Sequence, residues 1–575
     1  MKTFCFALLV AFAFFSCTNP PPSSSANSSK DSTAYNKGCG SRTSDKEWYL
    51  SNLKAPLFEG LDGIHFPITT KSAESQQYFD QGLMLSFAFN HAEAARSFWQ
   101  ATRFDSTCAM CWWGFAYVLG PNYNAGMEPD NFERAHTASQ KAMKYSASCR
   151  EKEKSLIEAL THRYSKEVVE DRSHLDDAYA VAMKGVHKKF PGDVDIASLY
   201  AESLMDMHPW DLYEHDGTPK SWTPEIVSVL EECLAASPQH VGANHFYIHA
   251  VEASLTADRG LPNAKLLENL VPGAGHLVHM PSHIYIRTGH YNDGVLVNER
   301  ACEIDSAYVE RCHAYGAYPL AYYPHNAHFI AACAALSGQS AKAMEGAWKT
   351  SMLTAEDLLD AEGMESLQHY YIIPWYTSVK FAQWETILEM KMPHAKLKYP
   401  MGIVHYSRGM ARCGLGKTSE AEKELAALRE IMKDTTVWDI TIWNINSVGH
   451  MLQIAEKVLS AHISSSQSDF KTAEKLLREA VSIEDNLAYN EPPDWFFSVR
   501  HYLGNVLLQA KKFEQAERVF REDLVTFPEN GFALNGLHTA LAGQNKIEDA
   551  GTVQLRFNNA WRFADCLLDK ALVMR

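Results

Sequence analysis

The chain has no surplus of positive charge: 53 lysines and arginines stand against 69 aspartates and glutamates, a formal charge of −16. Binding to phosphates needs a basic stripe, so this balance argues against nucleic acid as a partner. The acidity is read as solubility. Beyond residue 15 no apolar run is long enough to cross a bilayer, and runs of alternating apolar and polar residues, the mark of strands, are missing. Also missing are a Gly-rich phosphate loop, a nucleophile elbow and the kinase motifs. Cys108-Ala-Met-Cys111 has CxxC spacing, but Trp112 follows where haem attachment needs histidine, and there is no second CxxC for a zinc ribbon. The cysteines after Cys17 are scattered, which does not describe a disulfide scaffold. Cys108 and Cys111 are expected as core residues, with a local disulfide as the alternative.

At 575 residues the chain is too long for one simple core, which leaves several domains or an extended repeat array. Its first segment reads as an export signal. Lys2 supplies the positive start, and Phe4 to Phe15 is an apolar stretch of signal-peptide length. Phe14-Phe15-Ser16-Cys17 is similar to a bacterial lipobox, with Cys17 as the lipidated residue, although Phe14 stands where leucine is usual. This implies a lipoprotein on the periplasmic face of a bacterial membrane, the outer membrane by preference. A secreted protein without lipid is the alternative. Residues 18–45, rich in Pro, Ser and Asn, cannot bury a core and read as a flexible tether. Any membrane contact is then through the lipid.

The rest reads as helical repeats. Tyr78, Gly82 and Leu85, followed by Ala94, Phe98 and Ala101, fit a helix-turn-helix unit of the tetratricopeptide pattern, with small residues where two helices cross. The skeleton recurs at Tyr285, Gly289, Gly294 and Ala301, and again at Gly338 and Ala343. Further copies carry Gly409, Gly416 and Ala421, then Phe470, Ala473 and Ala480. Gly504, Phe513, Ala516, Phe520 and Pro528 mark a clean one, and Ala540, Ala550 and Phe557 a last. Two long loops, 119–132 and 209–224, interrupt the pattern, and such loops often carry function. The expected fold is therefore all-α, a right-handed solenoid of helix-turn-helix repeats. Residues 46–360 would form the N-terminal and central repeats and 361–575 the C-terminal ones.

The blocks Tyr78-Phe-Asp-Gln-Gly-Leu83, Gly242-Ala-Asn-His-Phe-Tyr-Ile-His-Ala-Val-Glu252, Gly273 to Arg287, Pro492-Pro-Asp-Trp495 and Phe520-Arg-Glu-Asp-Leu524 resemble a family of exported bacterial tetratricopeptide proteins. The resemblance implies the repeat fold over nearly the whole mature chain and leaves the activity to the residues.

Those residues include seven histidines in three consecutive clusters. His245 and His249 are four apart, with Glu252 three further on. His276, His279 and His283 are spaced three and four, and His325 and His328 three. Such spacings place side chains on one helix face. Aligned by their turn glycines or closing proline, the clusters fall at positions 2, 5 and 9 of the first helix of three successive repeats. Histidine makes up 25 of 575 residues, so nine such slots should hold fewer than one; they hold seven. His369 falls at the first of these positions in the next repeat. In tetratricopeptide proteins these positions line the concave groove, so the resemblance places all eight side chains there. Pro281 requires either a bend or a helix start between His279 and His283.

Imidazoles one turn apart, with a carboxylate, suit zinc, copper or iron. The candidate metal ligands are His245, His249, Glu252, His276, His279, His283, His325 and His328. Arg287 is a candidate for an anionic group, with Tyr247, Tyr285, Tyr322 and Tyr323 as hydrogen-bonding or packing residues. Met205 and His208, on the second long loop, offer either Cu(I) ligands or a flap. Three functions stay open: a metal-binding solenoid, a protein- or peptide-binding scaffold without metal, and a metal-dependent hydrolase or oxidase.

Overall fold

Ala94, Phe98 and Ala101 recur along one face of the helix His91–Phe104, all fully buried, and that face closes onto the preceding helix Ala73–Phe87. Ser72 and Asn90 cap the two helices by accepting from the backbone of Ser75 and Glu93. The same unit repeats to the end of the chain, for example as Tyr323–Leu336 with Ser340–Leu353, Lys398–Gly414 with Thr418–Ile431, and Gly531–Gly543 with Ile547–Ala560. The fold is an all-α solenoid of tetratricopeptide-like helix-turn-helix pairs. The computed structural model describes residues 46–574 apart from 313 and 315. The expected signal, with Cys17, and the tether lie outside them.

Within this array the first helix of one pair packs on the first helix of the next, as Leu367–Lys380 does on Lys398–Gly414 and Lys398–Gly414 on Val448–Ser466. Small residues permit the crossings. Phe520 wedges between Gly504 and Gly536, where an added methyl would come within 2.2 and 2.3 Å of its ring. Two short β-ribbons, Thr441–Ile442 with Asn446–Ser447 and Leu568–Asp569 with Leu572–Val573, are the strands among the described residues. They are too short for an alternating pattern to register in the sequence.

Pro281 opens a helix, as one of the two expectations had it, but its predecessors are helical rather than in a loop. Gly275–His279 and Pro281–Thr288 are both helical and meet at Met280, which keeps helical dihedrals. Cys108 and Cys111 are buried thiols. The Cys108 sulfur caps its helix by accepting from the Cys111 N–H. Among the described residues no helix is long and apolar enough to cross a membrane.

Later segments return to the central repeats. The Tyr291 hydroxyl donates to the Pro528 carbonyl (2.7 Å), Arg287 donates to the Thr526 carbonyl (3.1 Å), and the Asp565 carboxylate accepts from the Ser340 backbone (2.6 Å). These contacts seat the C-terminal repeats against the inter-helix turns at Gly289 and Gly338.

Gly504→Ala and Gly536→Ala should each destabilise the protein by about 1–3 kcal/mol through overpacking against Phe520. Phe520→Ala should cost about 3–5 kcal/mol. Urea denaturation followed by circular dichroism measures all three; an unchanged midpoint for either glycine variant would refute the wedge.

Candidate metal centre

The histidines lie on helices Val241–Val251, Gly275–His279, Pro281–Thr288 and Tyr323–Leu336. They do not line an open groove. His245, His249, His276, His279, His283 and His328 are each no more than 2 % exposed, and only His325 keeps partial exposure. Two loops close over them. Trp210, from the second long loop, stacks on Tyr123 from the first (5.7 Å) and donates to the Asn124 side chain (3.2 Å). Both rings pack on His249. The expected flap is thus built from both loops. Met205 is a core residue and His208 stacks on Trp222 at 4.0 Å.

Phe89 forms part of the wall. It occupies the turn position that Gly289, Gly338 and Gly416 take in other repeats, with φ of 52°. A left-handed conformation costs a non-glycine residue about 1–2 kcal/mol. Its ring lies against His245, His249 and His276 at 4.5, 5.9 and 5.6 Å between centroids. Trp210 also has a positive φ, 57°. The same left-handed turn is taken elsewhere in the array by Ala382, Ser468, Lys511 and Asn545, so at Phe89 it is the side chain, not the backbone, that sets this turn apart.

The hydrogen bonds fix which imidazole nitrogen is free. His245 Nδ1 donates to the Phe87 carbonyl (2.6 Å). His249 Nδ1 meets one oxygen of Glu252 (3.0 Å), and His283 Nδ1 meets the other (2.7 Å). His279 Nδ1 lies 2.6 Å from the Asn298 side-chain oxygen, and that amide is oriented by its own donation to the Gly294 carbonyl. In His245, His249 and His279 Nδ1 therefore carries the proton, and the lone pair of the neutral ring sits on Nε2, whereas His283 Nδ1 approaches Glu252 as an ion pair without a well-formed hydrogen bond.

The Nε2 atoms of His245 and His279 each meet a neighbouring imidazole. His245 Nε2 is 3.2 Å from His276 Nε2, and His279 Nε2 is 2.9 Å from His283 Nε2. One ligand atom from each of His245, His249 and His276 can be chosen so that all lie within 4.8 Å of one another; the same holds for His279, His283 and His325. Burial pushes His245, His276, His279 and His325 well below the usual histidine range and so keeps them neutral. Burial opposes the charges of Glu252 and His283 as well, but each favours the other's ionised form, so Glu252 is lowered and His283 raised.

Glu491, which the sequence reading passed over, completes the locus. It lies 3.2 Å from His283 Nδ1, and neither of its oxygens has a well-formed hydrogen bond. Burial raises it to about 7. Its neighbour Pro492 opens a block that the family resemblance had marked, which was the available signal. Glu491 also lines a cleft of about 350 Å³ containing Glu214, Asp216, Glu484, Asp485 and Asp494 against Arg287 and Arg500.

The remaining candidates lie elsewhere. His328 packs on His369 (5.5 Å) and stacks on Phe496, and His369 meets the Tyr399 hydroxyl at 2.9 Å. Tyr247 and Tyr285 each follow a cluster histidine by two residues and so leave their helices in another direction. Their hydroxyls donate to Glu231 and Glu268 instead. Arg287 donates to the Glu252 and Thr526 carbonyls and faces the cleft, 4.0 Å from Glu491. Tyr322 packs edge-on against His276 (4.9 Å), and Tyr323 is buried.

Asp305 holds the His276 segment. Its carboxyl accepts from Tyr318 (2.8 Å) and Asn326 (2.7 Å), and the Tyr318 oxygen accepts from the His276 N–H (3.2 Å). Burial raises Asp305 to about 7. Between about pH 4, where the unfolded residue titrates, and pH 7, the folded chain binds the extra proton. Stability therefore falls as pH rises through this window, by at most about 1.4 kcal/mol per unit. Asp305→Asn should remove that slope: the stability difference between variant and wild type, measured by denaturation at pH 5, 6, 7 and 8, should shift in favour of the variant as pH rises. A constant difference would refute the assignment.

No protein-family model matches the chain, and no curated protein does. Solved helical proteins are similar over most of its length. A human IFIT1 dimer with m7Gppp-AAAA is 12% identical, covering 87% of this chain and 92% of that one, with a TM-score of 0.31. Yeast Tom70 is 13% identical, covering 85% and 93%, with a TM-score of 0.32. Cut9 with Hcn1, from the APC/C, is 12% identical, covering 86% and 76%, with a TM-score of 0.28. None of these likenesses is close enough to say what this chain binds.

Proposed function

We propose that this protein is an exported, lipid-anchored helical-repeat protein whose interior histidine cluster binds a transition metal. One observation carries the metal reading: His245 and His279 are held by acceptors at Nδ1, and their Nε2 atoms lie 3.2 Å from His276 Nε2 and 2.9 Å from His283 Nε2. Two acceptor nitrogens at such distances repel unless a proton or a cation lies between them. Two imidazole nitrogens on one tetrahedral zinc stand about 3.3 Å apart, given bonds of about 2.0–2.1 Å. Fixing the far nitrogen by a carbonyl or carboxylate is how proteins orient histidine ligands. Nitrogen donors of this kind suit zinc, copper or iron.

The acidic cleft supports the same reading, since its charge attracts cations toward Glu491 and thence His283. The anchor rests on Lys2, the apolar stretch Phe4 to Phe15 and Cys17. A peptide-binding scaffold without metal would have to use other surfaces, because these histidines are buried. Hydrolysis or oxidation at the metal is a question to put once the ion is identified.

Purified without a histidine tag, the protein should carry stoichiometric zinc, copper or iron by elemental analysis. His249→Ala/His283→Ala should lose it. Absence of bound metal after reconstitution with each ion in turn would sink this reading and direct the search to peptide partners.

A further inference from the structure

The cluster is divided in two, and the division has its own architecture. His245, His249 and His276 pack on the Phe89 ring, at 4.5–5.9 Å between centroids. His279, His283 and His325 pack on the Phe329 ring, at 4.8, 4.7 and 5.0 Å. Each trio closes to within 4.8 Å by itself. Three protein ligands with a further open position is the donor count of a complete imidazole metal site. One such site needs three of these rings, and six are present.

The trios are neighbours. The rings of His276 and His279 are 5.6 Å apart, and those of His249 and His283 5.5 Å. One carboxylate joins them: Glu252 takes His249 Nδ1 on one oxygen (3.0 Å) and His283 Nδ1 on the other (2.7 Å). A ring from each trio is thus oriented by the same group, which is itself 1 % exposed. Built on the metal reading above, we propose that the chain holds two transition-metal ions side by side, one in each three-histidine nest, with Glu252 as the positioning residue common to both.

The observations favour this over one ion shared by all six rings. A shared site gives no reason for two separate aromatic walls. Nor does it give a reason for each nest to contain its own close Nε2 pair, His245 with His276 and His279 with His283. In two-metal sites the ions stand about 3.5–4 Å apart, and the facing rings of the two nests are 5.5 and 5.6 Å apart between centroids.

The test is a titration of the metal-free, full-length protein with Cu2+, read by elemental analysis after desalting and by electron paramagnetic resonance. Wild type should retain two equivalents. His245→Ala/His276→Ala and His279→Ala/His325→Ala should each retain one and show the spectrum of an isolated Cu2+. The loaded wild type should show a signal broadened or diminished by the neighbouring ion. Glu252→Gln cannot accept from both rings and should weaken both ions together, by about 10–100-fold, as loss of a ligand-orienting group does. Circular dichroism checks that the variants are folded, and the wild-type stoichiometry stands without them. One equivalent in wild type, lost in both double variants, would overturn the pair and leave the single-metal reading intact. No bound metal would overturn both. Weakening of one ion alone by Glu252→Gln would remove that residue from the common role.

Discussion

The centre of this structure depends on a buried carboxylate between two imidazoles. Glu252 lies at the end of the helix Val241–Val251 and reaches His249 on its own segment and His283 on the next repeat. Charges buried in this way cost several kcal/mol each unless paired, and breaking such a pair costs about 3–5 kcal/mol. Once Glu252 is ionised, neither ring can turn away. The protein is thereby committed to a fixed set of imidazole orientations, and the hydrogen bonds of His245 to Phe87 and of His279 to Asn298 complete it.

The solenoid is well suited to assembling such a centre. Each first helix contributes two or three histidines one turn apart, and lateral packing brings successive first helices into register. The array is then closed rather than left as an open groove. Trp210 and Tyr123 come from two long loops, and Glu491 comes from a segment more than two hundred residues away in sequence. Burial follows, and with it neutral histidines that present lone pairs. The turn at Phe89 fits the same account: its left-handed backbone is shared with other turns of the array, and here the side chain it carries walls the first nest.

The fold was legible because repeat packing is local. Gly82, Ala94, Phe98 and Ala101 specify a helix crossing from within about twenty residues, and the same signature returns at Gly504 and Phe520. The histidine trios were legible in part. Spacings of three and four placed the rings on common faces, but periodicity says nothing about which nitrogen faces inward. His328 shared the spacing and went to a different locus, beside His369. Tyr247 and Tyr285 were near in sequence and are turned toward Glu231 and Glu268.

The sequence by itself determined the helical repeats, the turn positions and the concentration of histidine on successive first helices, because each depends on contacts within one repeat or between neighbours. Only the tertiary structure decided that the cluster is buried, that it is split between Phe89 and Phe329, and that Glu491 belongs to it. These depend on how strongly the array curves and where its loops return, a sum of small rotations over many repeats that no single segment encodes.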